Sequence, residues 1–177
     1  MEQKIILDAA QLQFSIRRLA HQIFEQHPHL HNTILIGIQP RGVSMANRIV
    51  DTLKSEFNIE NVPFGTLDIS FYRDDVYRDS SIKSYTSKID VSLENKNVVL
   101  IDDVLYTGRT VRSAMDAILD YGRPNKVELC VLIDRKFSRH LPIQADYVGK
   151  AIDSNVAQKV KVQWAETDNI DQILLLN

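Results

Sequence analysis

VVLIDDVLYTGRT, residues 98–110, sets four apolar residues against two acids and follows them with a hydroxyl–glycine–basic–hydroxyl turn. The apolar run reads as a buried strand. TVRSAMDAILDYG (110–122) returns to helical spacing and is closed by Gly122, with Pro124 behind it. Open α/β sheets bind ligands beyond the carboxyl ends of their parallel strands, which is where this pattern sets Asp102 and Asp103. Gly108 permits a backbone conformation that other residues resist. The amides around 107–110, at the positive end of a helix dipole, then make an anion seat suited to phosphate, with Thr107, Thr110 and Arg109 adding hydroxyls and charge. Two acids beside a phosphate repel it unless they serve other groups. Carboxylates accept well from neighbouring sugar hydroxyls and hold Mg²⁺ through water or together with a ribose. The stretch therefore reads as a grip on a ribose 5-phosphate. It is not a GxxxxGK[ST] loop, and no GxGxxG is present.

Working outward, TILIGI (33–38) and KVELCVLID (126–134) are two more apolar runs of strand length. ILDAAQLQFSIRRLAHQIFEQ (6–26) places Leu12, Ile16, Leu19 and Ile23 on one helical face with Asp8 as a cap, and VSMANRIVDTLKSEF (43–57) is a second helix. PFGTLDISFY (63–72), ADYVGKAI (145–152) and KVKVQWAE (159–166) are further strand candidates. Continuous Val/Ile/Leu runs separated by helices predict an α/β fold, a central, mainly parallel sheet flanked by helices. Residues 73–96 are polar and without apolar periodicity, and a loop that long in a compact domain is usually a lid or binding loop.

Composition bounds the rest. The 177 residues suffice for one domain with a substantial core. A net charge of −2 leaves no global polycation, so any nucleic-acid contact needs a local basic patch. The single cysteine, Cys130, lies in an apolar run and reads as a core residue of a reducing compartment. No signal-peptide pattern opens the chain and no apolar run approaches the roughly 20 residues of a membrane span, so a cytoplasmic protein without a membrane partner is expected. His27, His29 and His31 alternate in a turn without the acids or cysteines of a metal site.

VVLIDDVLYTGRT closely resembles the phosphoribosyl-diphosphate (PRPP) signature of the type I phosphoribosyltransferases. Within them the chain is similar to the PyrR type, pyrimidine-operon attenuators with uracil phosphoribosyltransferase activity. The likeness extends over RRLAHQI, GIQPRG (37–42), DISFYRDD (68–75), GRP (122–124), VLIDR (131–135) and LPIQADYVGK (141–150), nearly the whole chain. It implies the type I phosphoribosyltransferase fold over 1–177, with a flexible lid within 73–96 and a small C-terminal hood and base site over about 135–165.

The resemblance also assigns roles. Pro40, Arg41 and Gly42 match the pyrophosphate loop, which often carries a cis peptide, Gln39–Pro40 being one candidate. Arg73, at the start of the lid, adds charge for the pyrophosphate. Val104, Leu105, Tyr106, Thr107, Gly108, Arg109 and Thr110 hold the phosphoribosyl group, and Arg135 with the backbone near Val160 forms the base site. The implied chemistry is displacement of pyrophosphate from C1 of PRPP by N1 of uracil, giving UMP through an oxocarbenium-like transition state. Mg²⁺, Arg41 and backbone amides stabilise the departing charge. Asp102, Asp103 and Arg41 are the catalytic candidates, with the two acids as the Mg²⁺ ligands. Related purine enzymes carry an acid three residues after the acid pair; Tyr106 stands there here and favours a pyrimidine acceptor.

A second implied activity is UMP-responsive binding of the operon leader RNA, through Arg18, His21, Arg139 and Lys150. Gln144 stands where RNA-binding Gram-positive members carry arginine, and the segment from Asp134 to Pro142 is one residue longer than usual. The resemblance further implies a homo-oligomer. Two alternatives stand beside a uracil enzyme: an RNA-binding nucleotide sensor with little turnover, and a transferase for another base.

Overall fold

The computed structural model describes residues 3–73, 85–155 and 157–177. The chain begins with strand β1 (Gln3–Leu7), and Asp8 then caps helix α1 (Ala9–Gln26). The Asp8 carboxylate accepts from the Gln11 N–H while the Gln11 side chain accepts from the Asp8 N–H, so two end donors are satisfied reciprocally. Leu12, Ile16, Leu19 and Ile23 are buried, the face that the spacing predicts. TILIGI forms β2 (Thr33–Ile38), buried at every position, and α2 (Arg41–Phe57) follows after two residues. β3 (Phe64–Leu67) stops short of the expected strand because residues 70–72 turn as a single 3-10 turn. β4 (Asn97–Leu105) runs through the acid pair and leads to α3 (Arg109–Ile118). β5 (Lys126–Lys136), β6 (Tyr147–Asp153), β7 (Lys159–Gln163), the single turn α4 (Ala165–Asp168) and β8 (Gln172–Leu176) complete the chain.

Five strands form a wholly parallel sheet in the order β3-β2-β4-β5-β6. Strand alternation sorts its side chains onto two faces. Val99 and Ile101 of β4 join α1 and α2 in one core, while Val98 and Leu100 pack with Val111, Ala114 and Ile118 of α3 in the other. Cys130 lies fully buried in the first core, where burial pushes its thiol pKa far up. With every strand parallel, the carboxyl ends of β2, β4 and β5 open on one edge of the sheet, the edge where ligands bind in such folds.

The hood differs from its expected extent. Its sheet is antiparallel in the order β1-β8-β7, so two of its three strands come from outside 135–165, one from each end of the chain. Arg48 of α2 fastens it, pairing with Glu166 at 2.8 Å and Asp171 at 2.6 Å while lying over the Trp164 ring.

The polar stretch also divides. Positions 74–84 of the expected lid lie outside the described residues. Residues 85–96 are anchored rather than loose: Lys88 and Thr66 exchange backbone bonds of 2.8 and 2.9 Å, the Tyr85 N–H donates to Asp68 at 2.8 Å, and Leu93 is fully buried.

Candidate active site

Asp102 and Asp103 sit near the carboxyl end of β4, with only 8% of each residue's surface exposed. The Asp103 N–H donates to the Asp102 carboxylate at 2.9 Å. Burial, with Asp103 alongside, pushes the Asp102 carboxyl well above the ordinary carboxylate value. Asp103 is pushed up to about 6, burial outweighing the opposing Arg41 guanidinium and backbone N–H groups. Two acids held this way suit a site that is completed by positive charge.

Beyond them the backbone leaves the strand at Leu105 and reaches Gly108, whose φ of +92° lies in the left-handed region. Gly108 occupies the N-cap of α3, so the first amides of that helix open beside the acid pair. Thr107 Oγ1 accepts from the Arg109 N–H at 3.4 Å. Val104 and Thr110 are half-buried, Leu105 is buried, and Arg109 is exposed. The expected grip is thus brought together as one turn.

The GIQPRG loop arrives from β2. Its Gln39–Pro40 peptide is cis. Gly42 is required by close approach: a Cβ there would stand 2.3 Å from the Ile101 carbonyl oxygen, so α2 begins directly against β4. That contact brings the loop beside the acids. Arg41 Nη1 donates 2.5 Å to the Val162 carbonyl of β7, which ties this loop to the hood. Arg73 closes the 3-10 turn at the limit of the segment that ends there.

Arg135, at the end of β5, is only 4% exposed. Its Nε donates to Ser154 Oγ at 2.8 Å and its Nη2 to the Asn155 and Gln158 carbonyls at 2.9 Å. Its guanidinium also lies 3.9 Å from the centre of the Tyr106 ring. It shapes the connection that leads to half-buried Val160, and so touches the expected base site through that loop.

The expected RNA residues separate into three settings. Arg18 Nη2 donates to the Val148 and Gly149 carbonyls at 3.2 and 2.5 Å, and Lys150 Nζ donates to the Ile6 carbonyl at 3.1 Å, so these two cations sit on one edge of the molecule. His21 meets Glu56 at 2.5 Å, and Arg17 pairs with the same carboxylate at 2.8 Å. Arg139 is half-buried, its guanidinium engaging the Asp134 carboxylate and four carbonyls, so its charge is already paired, unlike those of Arg18 and Lys150.

Sequence reasoning missed Asp134, whose carboxylate takes the Arg139 guanidinium, His140, whose N–H donates to the Thr107 carbonyl, and Asp68, whose carboxylate accepts from Ser70 at 3.0 and 2.6 Å and from Tyr85 at 2.8 Å. Only the Asp-rich context of DISFYRDD hinted at the last. Among the described residues no group of three or more His, Cys, Asp or Glu could hold a metal ion. The acid pair's donor set still fits Mg²⁺, which is held by one or two carboxylates together with substrate oxygens rather than by a protein cage.

Residues 2–167 match the phosphoribosyl transferase domain family. The Bifunctional protein pyrR of Enterococcus faecalis is 43% identical over 99% of this chain and 97% of its own length. The Bifunctional protein PyrR of Actinobacillus pleuropneumoniae is 45% identical over 98% of this chain and 97% of its own. In fold, a Bacillus anthracis hypoxanthine-guanine phosphoribosyltransferase superposes with a TM-score of 0.73 at 23% identity, covering 99% of this chain and all of that one. A site built at the carboxyl edge of a parallel sheet, relatives this similar over full length and a matching domain converge, and the chain belongs to the phosphoribosyl transferase family, among its bifunctional PyrR proteins.

Proposed function

We propose that the protein transfers the phosphoribosyl group of PRPP to uracil, releasing pyrophosphate and UMP. The observation that carries the reading is the buried acid pair running within a few residues into a left-handed glycine at the start of α3. Asp102 and Asp103 accept from the ribose hydroxyls, and the amides at 107–110 with Thr107, Thr110 and Arg109 take the 5′-phosphate. Arg41 and the amides of its loop receive the charge that gathers on the departing pyrophosphate, where fixed donors in a site sheltered from water stabilise it most. Mg²⁺ on the acid pair supplies further positive charge to the pyrophosphate oxygens when bound. Arg135 and the backbone near Val160 hold the base, and Tyr106, which lies against Arg135 at the position where related purine enzymes carry an acid, favours a pyrimidine acceptor.

A second role is part of the same reading. Arg18 and Lys150, fixed close together at the β6 edge, supply phosphate contacts for UMP-responsive binding of the pyrimidine operon leader mRNA. The protein acts in the cytoplasm as a homo-oligomer; no helix of the described residues is long and apolar enough to cross a membrane.

The test is incubation with PRPP, Mg²⁺ and, separately, uracil, orotate, hypoxanthine and guanine. Nucleotide forms with uracil alone and is lost in Asp103→Asn. No nucleotide with any base, from protein that still binds UMP, sinks the enzymatic reading and leaves the RNA-binding sensor.

A further inference from the structure

The turn between the acid pair and α3 is held from below by one short segment. Arg139 Nη1 donates to the carbonyls of Leu105 at 3.3 Å and Tyr106 at 2.5 Å, and the His140 N–H donates to the carbonyl of Thr107 at 3.0 Å. Three consecutive carbonyls therefore point at residues 139 and 140. Arg139 is itself fixed: Nη2 engages the Asp134 carboxylate, Nε donates to the Ile143 carbonyl at 3.0 Å, and Nη1 also reaches the Arg135 carbonyl at 3.1 Å. The side chains of Leu141 and Ile143 pack beneath Gly108, within 3.5 and 3.1 Å of where its Cβ would stand.

Peptide geometry gives this arrangement a consequence. In a planar trans peptide the carbonyl and the following N–H point in opposite directions. Holding the carbonyls of 105, 106 and 107 toward Arg139 and His140 turns the N–H groups of 106, 107 and 108 the other way, away from the brace. Successive N–H groups pointing to one side form a concavity for an anion. Without the brace each of these peptide planes could rotate, and the donors would scatter.

We infer that Arg139 is a positioning residue for the 5′-phosphate seat, acting through the carbonyls of the turn and not through contact with any ligand. The inference rests on the proposed reading of that turn as the phosphate seat. It gives the extra length of the 134–142 segment a role within the site, as the material from which the brace is built.

The experiment compares affinity for UMP and for uridine, by calorimetry on the full chain, in wild type, Arg139→Met, Arg139→Lys and Asp134→Asn. The ratio of the two affinities isolates what the phosphate contributes, and a general loss of stability does not move it. Arg139→Met lowers the ratio at least tenfold, leaves uridine affinity within twofold, and raises KM for PRPP while KM for uracil holds. Arg139→Lys recovers only part of the ratio, since one ammonium cannot span the same carbonyls. Asp134→Asn leaves those carbonyl bonds in place, removes their charged anchor, and shifts the ratio the same way by a smaller factor; it decides the matter should Arg139→Met not fold. An unchanged ratio in the variants, with wild type preferring UMP, overturns the brace alone. A wild type that binds uridine as well as UMP overturns the phosphate seat itself, and the brace with it.

Discussion

The backbone N–H of Asp103 donates to the Asp102 carboxylate at 2.9 Å, and it does so where both residues are more than nine-tenths buried. The pair is thus arranged against its own stability. A carboxyl whose folded-state pKa lies above its unfolded value stabilises the fold at low pH and costs stability as pH rises.

Asp103, pushed up to about 6 from an ordinary 3.8, costs about 2–3 kcal/mol at pH 7.5, a cost that develops between those two values. Asp103→Asn therefore raises the melting temperature of the ligand-free protein by about 5 °C at pH 7.5. The gain fades toward pH 4, where the wild-type carboxyl is neutral, and the same variant loses turnover more than about 100-fold. Calorimetric scans in a chelator across pH check the first effect, and nucleotide formation the second. A variant melting below wild type at pH 7.5 would show that the pair is not electrostatically strained.

Gly42 tests the joint between α2 and β4. Helix propensity alone favours alanine there by about 1 kcal/mol. The Cβ, however, would stand 2.3 Å from the Ile101 carbonyl oxygen and 3.1 Å from Asp102 Cα, atoms of a central strand that cannot give way cheaply. Gly42→Ala is expected to lower stability by about 3 kcal/mol or more, read from the urea midpoint, and to impair the acid pair next to it. A midpoint at or above the wild-type value would refute the close approach.

At the opposite end of the sheet, His27 and Glu128 meet in the interior, with side chains only 8% and 6% exposed. Thr33 Oγ1 lies 3.1 Å from His27 Nδ1, while Tyr147 at 3.3 Å and Lys126 at 2.5 Å donate to the Glu128 carboxylate. Removing one partner leaves a buried charge or acceptor uncompensated. His27→Ala and Glu128→Leu are each expected to cost about 3–5 kcal/mol, and the double variant less than their sum. The kcat of the folded fraction stays at its wild-type value, since Glu128 pairs in register with Val99, well before the acids. A kcat that fell in proportion to stability would instead connect the two ends of the sheet.

What the sequence showed and what it concealed divide along sequence distance. TILIGI, α1 with its Asp8 cap and the β4 turn were legible because their signals lie within a few residues of each other: continuous apolar runs, helical spacing and a glycine after a hydroxyl. β1 and β8 were not, because each is five residues long and becomes a strand by pairing with a partner from the far end of the chain. Glu128 looked like a polar interruption in an apolar strand, and only the fold supplies His27 and Tyr147 to satisfy it. The fate of Arg139 was hidden in the same way. A basic residue in a polar segment reads as surface, and nothing local announces that its guanidinium meets carbonyls more than thirty positions away.

The charge map of the proposed RNA surface leads to the final prediction. Arg18 and Lys150 are held by carbonyls, which orient a cation without neutralising it, so both still offer full charge to a phosphate. Arg17 and His21 instead share Glu56, whose pKa their hydrogen bonds lower below the usual carboxylate range. Arg18→Gln and Lys150→Gln should each reduce the slope of log K against log salt by about 0.7–0.9, the counterion release of one phosphate contact. Glu56→Gln should tighten RNA binding by freeing the neighbouring Arg17 guanidinium, and Arg139→Met should leave the slope unchanged. Titration of a leader hairpin at several salt concentrations measures all four. Equal slopes in wild type, Arg18→Gln and Lys150→Gln would move the RNA to another face of the molecule. A slope lowered by Arg139→Met would return that guanidinium to the surface.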